Sequence, residues 1–226
     1  MVVLTISIGG SIILPENDDI HYINKLAKLL IAQSKRYKLF IVVGGGRLSR
    51  TYINMARELG GDEAYLDDVG IAATRLNARL LIAALKGCAY PKPARDLDEA
   101  WIAGRSHSIV VMGGTHPGHT TDAVAAMLGE RVGADRFINA TAVDGVYSAD
   151  PRKDPKAKKF KKLTAQELLD LTIRSEQKAG PHIVIDPLAA RIIQRSGIPT
   201  FVVDGRDLKA LKEAMAGKGT AGTIIK

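Results

Sequence analysis

Short apolar runs recur along the chain, and each ends in a turn that is followed by a pattern typical of a helix. The runs end at Ile8, Val43, Met112 and Thr141, and glycines lie in the turn after each of them. Strands that alternate with helices form a mostly parallel sheet with helices on both faces. Ligands bind such sheets beyond the carboxyl ends of the strands. The sequence therefore predicts an α/β fold whose ligand site is built from these turns.

Length and cysteine usage exclude several classes of protein. The 226 residues suit one large α/β domain, or two small lobes that share a core. The single cysteine, Cys88, cannot form an internal disulfide and favours a reducing compartment. The segment Met1–Ile6 lacks the features of a signal peptide, and no apolar run reaches the roughly 18 residues of a membrane span. We therefore expect a cytoplasmic protein without a membrane partner.

The net charge of +8 leaves the class of ligand open, because it suits nucleic acid, an acidic surface or an anionic substrate. Six lysines lie in the segment 153–162, in which Phe160 is the aromatic residue. Single-stranded nucleic acid is bound by interleaved aromatic residues, which this segment lacks. We therefore expect a solvated surface loop and no nucleic-acid partner.

The loop 113–122 has the richest chemistry in the chain, with three Gly, three Thr, two His, one Pro and one Asp. Glycine lets backbone amides approach a ligand, threonine hydroxyls both donate and accept, and the start of the following helix favours an anion. An ordinary junction capped by Thr120 or Thr121 is the alternative. The composition favours a phosphate-binding loop.

A second phosphate-binding turn is predicted at Gly44–Gly46, between an apolar strand and a helix that carries Arg50 one turn inside. The glycine spacing fits neither a Rossmann fingerprint nor a Walker A loop. A tight turn beside a surface arginine is the alternative. Gly9–Gly10 is a weaker signal of the same kind, since paired glycines are common in turns.

Two carboxylate positions remain open from the residues alone. Asp67 and Asp68 precede a helix predicted from about Ile71 to Leu85, where a capping role is favoured over binding of a ribose diol. Asp122 either orients donors or water near a metal, or simply complements the dipole of its helix.

Six motifs, in order and spacing, resemble those of the amino acid kinase superfamily, and most of all those of its archaeal-type UMP kinases. They are Gly9-Gly10-Ser11, Gly44-Gly45-Gly46, Asp67-x-x-Gly70, the loop 113–122, the segment 143–151 and Ile185-Asp186-Pro187-Leu188-Ala189-Ala190. The resemblance covers essentially the whole chain. It implies the amino acid kinase fold, a three-layer αβα sandwich with a mostly parallel central sheet. It also implies one domain over 1–226, with roughly 1–135 binding UMP and 136–226 binding ATP.

The resemblance implies an activity as well. ATP would phosphorylate UMP to give ADP and UDP in pyrimidine nucleotide biosynthesis, with Mg²⁺ held mainly by phosphates and water and not by protein side chains. The family usually assembles as a homohexamer, a trimer of dimers. Two alternatives keep the fold: a kinase for another small phosphate or phosphonate acceptor, and a non-catalytic, nucleotide-gated storage protein.

Site residues follow from the resemblance by position. The ATP side would comprise Gly9, Gly10, Gly46, Arg50, Thr141, Tyr147 and Asp150. The UMP side would comprise Gly45, Asp67, Thr115, His116, Pro117, Gly118, His119, Thr120 and Thr121. Arg50 and Asp122 are the candidate catalytic residues.

The chain departs from the superfamily at two positions that many members fill with lysine. It has Ser7 two residues before the first glycine pair, and Ile185 near the Asp-Pro helix start. Another cationic group must then stabilise the charge of the transition state. The candidates are Mg²⁺ itself and four side chains: Arg47, Arg50, His116 and His119.

Overall fold

A computed structural model describes residues 1–14, 20–149, 151, 154–177, 184–218 and 221–226. Within these ranges the strands are β1 Val2–Ile8, β2 Tyr37–Val43, β3 Ile109–Met112, β4 Arg136–Thr141, β5 Lys162–Leu163, β6 Thr200–Asp204 and β7 Thr223–Ile225. The helices are α1 Gly10–Ile13, α2 Ile20–Gln33, α3 Gly46–Glu58, α4 Glu63–Ala84, α5 Leu97–Ala103, α6 Thr121–Val132, α7 Ala165–Gln177, α8 Pro187–Ser196 and α9 Leu208–Met215. No helix in the described ranges is long and apolar enough to cross a membrane.

The strands form one sheet in the order β3-β2-β1-β4-β6-β7-β5. Its strand pairs are parallel apart from β6 with β7, which run antiparallel. The predicted α/β fold with a mostly parallel sheet is confirmed. Because β3, β2, β1 and β4 are neighbours, the turns that follow their carboxyl ends lie side by side along one edge.

Two apolar clusters, one on each face of the sheet, make the three layers. Alternate residues of β1 point to opposite faces, so that Leu4, Ile6 and Ile8 join one cluster with α1, α2, α4 and α9. The other cluster packs α5, α6, α7 and α8 against the second face. The helix α3 contributes to neither cluster and contains no buried residue. It lies outside these layers against α4.

Helix α4 begins earlier than the sequence predicted. Its N-cap is Asp62, whose side chain accepts a hydrogen bond from the Tyr65 amide, so the helix starts at Glu63 and not near Ile71. Asp67 and Asp68 therefore lie inside the helix, and the prediction that they cap it is wrong. The helix continues through Gly70, where a Cβ would lie 3.1 Å from the Ile53 side chain of α3, so the two helices pack closely at this point.

The middle of β1 contains a buried hydroxyl that stability measurements can probe. Thr5 is fully buried, and its Oγ1 has no hydrogen-bond partner among the described residues. We expect Thr5→Val, which keeps the shape and removes the unpaired group, to raise the free energy of unfolding by about 1 kcal/mol. Chemical denaturation would measure the change.

The matched control is Thr223→Val, since Thr223 is equally buried but accepts from the Val146 amide at 2.8 Å and donates to the Phe160 carbonyl. That variant should lose about 1–3 kcal/mol, because it leaves a buried amide unpaired. Equal destabilisation of both variants would show that Thr5 has a partner.

Candidate active site

The first two glycine turns touch each other through their backbones. A Cβ on Gly10 would lie 2.0 Å from the Gly46 amide nitrogen, and a Cβ on Gly46 would lie 2.5 Å from the Gly10 carbonyl carbon. Neither position accepts a side chain, and Gly46 also has a positive φ of 61°. The amino terminus of α3 is therefore held directly against the turn that follows β1.

Two further helix N-termini join this pair. The Thr121 hydroxyl, at the start of α6, lies 3.4 Å from where a Gly44 Cβ would be. Next to it, Thr120 caps α6 and donates from Oγ1 to Asp186 Oδ2 at 2.5 Å. Asp186 is in turn the N-cap of α8. The first amides of a helix have no acceptor inside it, so three such ends in one place suit anionic groups.

A cavity of about 270 Å³ opens between α3, α4 and the loop after β3. It brings together six of the residues predicted for the acceptor: Gly45, Asp67, His116, His119, Thr120 and Thr121. The other predicted residues, Thr115, Pro117 and Gly118, lie in the same loop but do not line the cavity. The wall also contains Ser49, Ile53, Gly70, Ile71, Thr74 and Gly114, which were not among the predicted site residues.

Asp67 connects α4 to the far end of this loop. Its Oδ2 accepts a hydrogen bond from the Gly118 amide at 2.7 Å. Since a carboxylate offers several acceptor positions, Asp67 can accept from a further donor in the cavity. Across from it, the rings of His116 and His119 lie with their centroids 6.4 Å apart. The cavity wall therefore carries acceptors, hydroxyls and two titratable rings.

Of the residues predicted for the donor, Gly9 and Thr141 lie next to each other at the end of β4. The Gly9 amide donates to the Ala140 carbonyl at 2.9 Å, next to Thr141 at the end of β4. Beyond Thr141, the Tyr147 hydroxyl donates to Asp144 at 2.7 Å. Asp144 also pairs with Lys159 at 2.8 Å. The position predicted nearby, Asp150, lies outside the described residues.

Asp122 occupies the junction between the two sides. The Ser7 hydroxyl donates to its Oδ1 at 2.6 Å, and Asn139 Nδ2 donates to its Oδ2 at 3.3 Å. Burial raises the pKa of Asp122 to about 6, the charge of Asp186 adds to the shift, and the two hydrogen bonds oppose it. Asp122 is therefore mostly ionised at neutral pH, at the start of α6.

The two positions where lysine is missing carry no cation. Ser7 is a buried hydrogen-bond donor, and Ile185 is buried in the apolar cluster between the sheet and α8. Of the proposed substitutes, Arg47 and Arg50 are exposed on the first turns of α3 and do not line the cavity. The histidines do line it. Arg75 also lies close to the cavity, since its Nε donates to the carbonyl of Gly114 in the cavity wall at 3.2 Å.

Sequence reasoning missed the polar face of α4. Thr74 Oγ1 accepts from the Gly114 amide at 2.7 Å, and Asn77 donates to the carbonyls of Gly44 and Gly45. With Asp67, these residues lie at spacings of seven and three, which place them on one face of a helix. The spacing of these three polar residues along the helix was the available signal.

Comparison with known proteins places the chain among related sequences. The sequence model of the amino acid kinase family matches residues 3–204. A uridylate kinase from Pyrococcus abyssi is 48% identical over 221 residues, which cover 98% of each chain. The crystal structure of a uridylate kinase from Archaeoglobus fulgidus superposes with a TM-score of 0.89 at 46% identity, covering 100% of both chains. A UMP kinase structure from Bacillus anthracis, at 22% identity and a TM-score of 0.79, shares the fold.

The raised pKa of Asp122 has a measurable effect on stability. The folded chain binds this proton more tightly than an unfolded aspartate with the ordinary pKa of 3.8, so the stabilisation is complete below about pH 4 and is lost as the pH rises through 6. Asp122→Asn has no carboxyl group to titrate at this position, so it should not lose this stabilisation. The melting temperature of the variant minus that of the parent chain should therefore rise between pH 4 and pH 7. Thermal melts at both pH values would measure it.

Asp204→Asn is a control of opposite sign. Burial alone would raise the pKa of Asp204, but hydrogen bonds from Arg206 hold it below its usual value. The melting temperature of Asp204→Asn should fall relative to that of the parent chain as the pH rises. A pH-independent difference for Asp122→Asn would contradict the assigned environment.

Proposed function

The chain belongs to the amino acid kinase family, and we propose that it transfers the γ-phosphoryl group of ATP to UMP, giving ADP and UDP for pyrimidine nucleotide biosynthesis. The observation that carries this function is the acceptor cavity, whose wall includes Gly45, the residue before the Gly10–Gly46 contact. The exposed free thiol of Cys88 agrees with a reducing compartment, so we place the reaction in the cytoplasm.

The acceptor side, roughly residues 1–135, would hold UMP. Gly45 and the starts of α3 and α6 would receive its phosphate, since their amides are donors without mobile charge. Asp67 would accept from the ribose hydroxyls. The loop from Thr115 to Thr121 would surround the nucleoside, where hydroxyls and amides can pair with the uracil edge. A site that satisfies the polar edges of one base rejects others strongly.

The donor side, roughly residues 136–226 with the first glycine turn, would hold ATP. Gly9, Gly10 and Gly46 would contact its phosphates, and Arg50 would approach them from α3. Thr141, Tyr147 and Asp150 would line the adenosine. The two phosphates would then meet across the contact between the glycine turns, which is the arrangement that an in-line transfer needs.

Transfer between two anions requires their charge to be neutralised and their atoms to be aligned. Mg²⁺ bound to ATP supplies much of that neutralisation. In this proposal, phosphates and water would hold most of the coordination sphere of that ion. The carboxylates of Asp122 and Asp186 are close enough to interact and would orient water in the shell of that ion. Arg50 and the histidines would share the remaining charge.

The alternatives have less support. A kinase for another small phosphate, or a nucleotide-gated storage protein, would keep the fold. The full-length relatives at about half identity are uridylate kinases. The cavity wall also carries polar groups on α4 and on the loop after β3, beyond the glycine turn that the phosphate or phosphonate group of a small acceptor would need. We therefore favour UMP as the acceptor.

We also propose that copies of the chain associate, as dimers within a hexamer, through the outer face of α3 and α4. A groove of about 330 Å³ on this face is lined by Leu48, Tyr52, Val69, Ala72, Ala73 and Leu76. Tyr52 and Leu76 are 56% and 57% exposed. A contiguous apolar face of this kind is typical of an association surface.

A coupled assay of ADP release with UMP, CMP and AMP tests the function. We expect turnover with UMP to dominate, and its absence would reject the proposal.

Asp67→Asn should raise the UMP KM about 10-fold or more, as loss of a hydrogen bond to a charged group does, with the ATP KM nearly unchanged. The matched control is Asp68→Asn, an exposed neighbour on α4 outside the cavity wall. Equal effects of Asp67→Asn on both KM values would remove Asp67 from the acceptor site.

Sedimentation or light scattering tests the association. Leu76→Glu places a charge in the groove and should reduce the assembly to smaller species. Ile102→Glu is the control, because Ile102 is 58% exposed on α5, away from the groove. An unchanged mass for Leu76→Glu would show that this face is not an interface.

A further inference from the structure

The amide side chain of Asn77 lies buried beneath the second glycine turn. It is 2% exposed, and its Nδ2 donates to the Gly44 carbonyl at 2.9 Å and to the Gly45 carbonyl at 3.0 Å. The orientation of this amide is unambiguous, because its oxygen would repel two carbonyl oxygens at that distance. Asn77 thus donates both of its amide hydrogens to the carbonyls of two consecutive peptide groups.

Holding a carbonyl also orients the amide that follows it. The peptide group is planar and trans, so the N–H of the next residue points away from the group that binds the carbonyl. With the carbonyls of Gly44 and Gly45 tied to Asn77, the amides of Gly45 and Gly46 are directed away from α4. The Gly46 nitrogen lies against Gly10, at the place where the two turns meet.

The same helix fixes the other segments of the acceptor site. Thr74 accepts from the Gly114 amide at 2.7 Å, and Arg75 Nε donates to the Gly114 carbonyl at 3.2 Å. One helical face therefore sets the positions of the phosphate turn and of the loop after β3 relative to each other. A turn of three glycines has no side chains of its own that restrict its backbone, so these contacts with α4 hold the turn in place.

We propose that Asn77 is a positioning residue for phosphoryl transfer: it aims the amides of the Gly44–Gly46 turn at the gap between donor and acceptor phosphates. The inference rests on the proposed UMP kinase activity and adds a residue to it. Asn77 does not line the cavity, so its effect reaches the substrates through the backbone of the turn. Most of the proposed UMP contacts come from Asp67 and the loop 115–121, so misdirecting the Gly45 amide would weaken one UMP contact among several.

The test combines kinetics with amide hydrogen exchange on the full chain. Asn77→Leu keeps the approximate size and removes both donors. We expect kcat to fall about 100-fold, as small misplacements of reacting groups cause, while the UMP KM changes less than about threefold. Exchange at amides 45–48 should become about tenfold faster. Asn77→Asp, which keeps the shape but faces the carbonyls with oxygen, should reproduce both effects and serves if Asn77→Leu does not fold.

Thr200→Val is the matched control for a purely structural loss. Thr200 is fully buried and donates to the Ile198 carbonyl at 3.0 Å, at the amino end of β6 away from the turns. Thr200→Val should lower the melting temperature of the chain, while kcat and the exchange rate of amides 45–48 stay unchanged. A kcat within about twofold of the parent for folded Asn77 variants, or unchanged exchange at the turn, would overturn the proposal. If the parent chain itself does not phosphorylate UMP, the proposed function fails, and the exchange measurement still decides the role of Asn77.

Discussion

The contact between the backbones of Gly10 and Gly46 determines where the rest of the site can lie. A Cβ on Gly10 would lie only 2.0 Å from the Gly46 nitrogen, so a side chain at Gly10 would prevent the two turns from packing this closely. This closeness is possible because β1 and β2 are parallel neighbours whose carboxyl ends are level, Ile8 pairing with Val43. The turn after β1 and the start of α3 therefore form a single surface of amides, with the acceptor cavity on one side and the end of β4 on the other.

The proposed mechanism relies on backbone dipoles, because this chain lacks the two lysines that the superfamily resemblance implies. The Ser7 hydroxyl donates a hydrogen bond to Asp122, and Ile185 lies in the apolar core, so neither position contributes a fixed cation. The amides at the starts of α3, α6 and α8 offer donors that cost no rearrangement during reaction. In the proposed mechanism they hold the phosphates in place, and the bound nucleotide brings its own counter-ion.

The sequence predicted those parts of the site whose signal is local. A glycine turn after an apolar run is visible in a few residues, and so is a cap at Thr120 or Thr121, of which the structure uses Thr120. Contacts between distant segments were not predictable in this way. Ser7 and Asp122 are 115 residues apart, and Asn77 reaches a turn 32 residues away. Asp67 was misplaced for a related reason, since the cap at Asp62 and the packing of Gly70 on α3 extend α4 beyond its apolar pattern.

A crystal structure with UMP and a non-hydrolysable ATP analogue tests the central claim most directly. We expect the UMP phosphate at the amides of Gly45 and the start of α6, its ribose at Asp67, and the terminal phosphate of the analogue across the Gly10–Gly46 contact. UMP bound away from the cavity between α4 and the loop after β3, or the two phosphates separated by an intact wall of side chains, would contradict it.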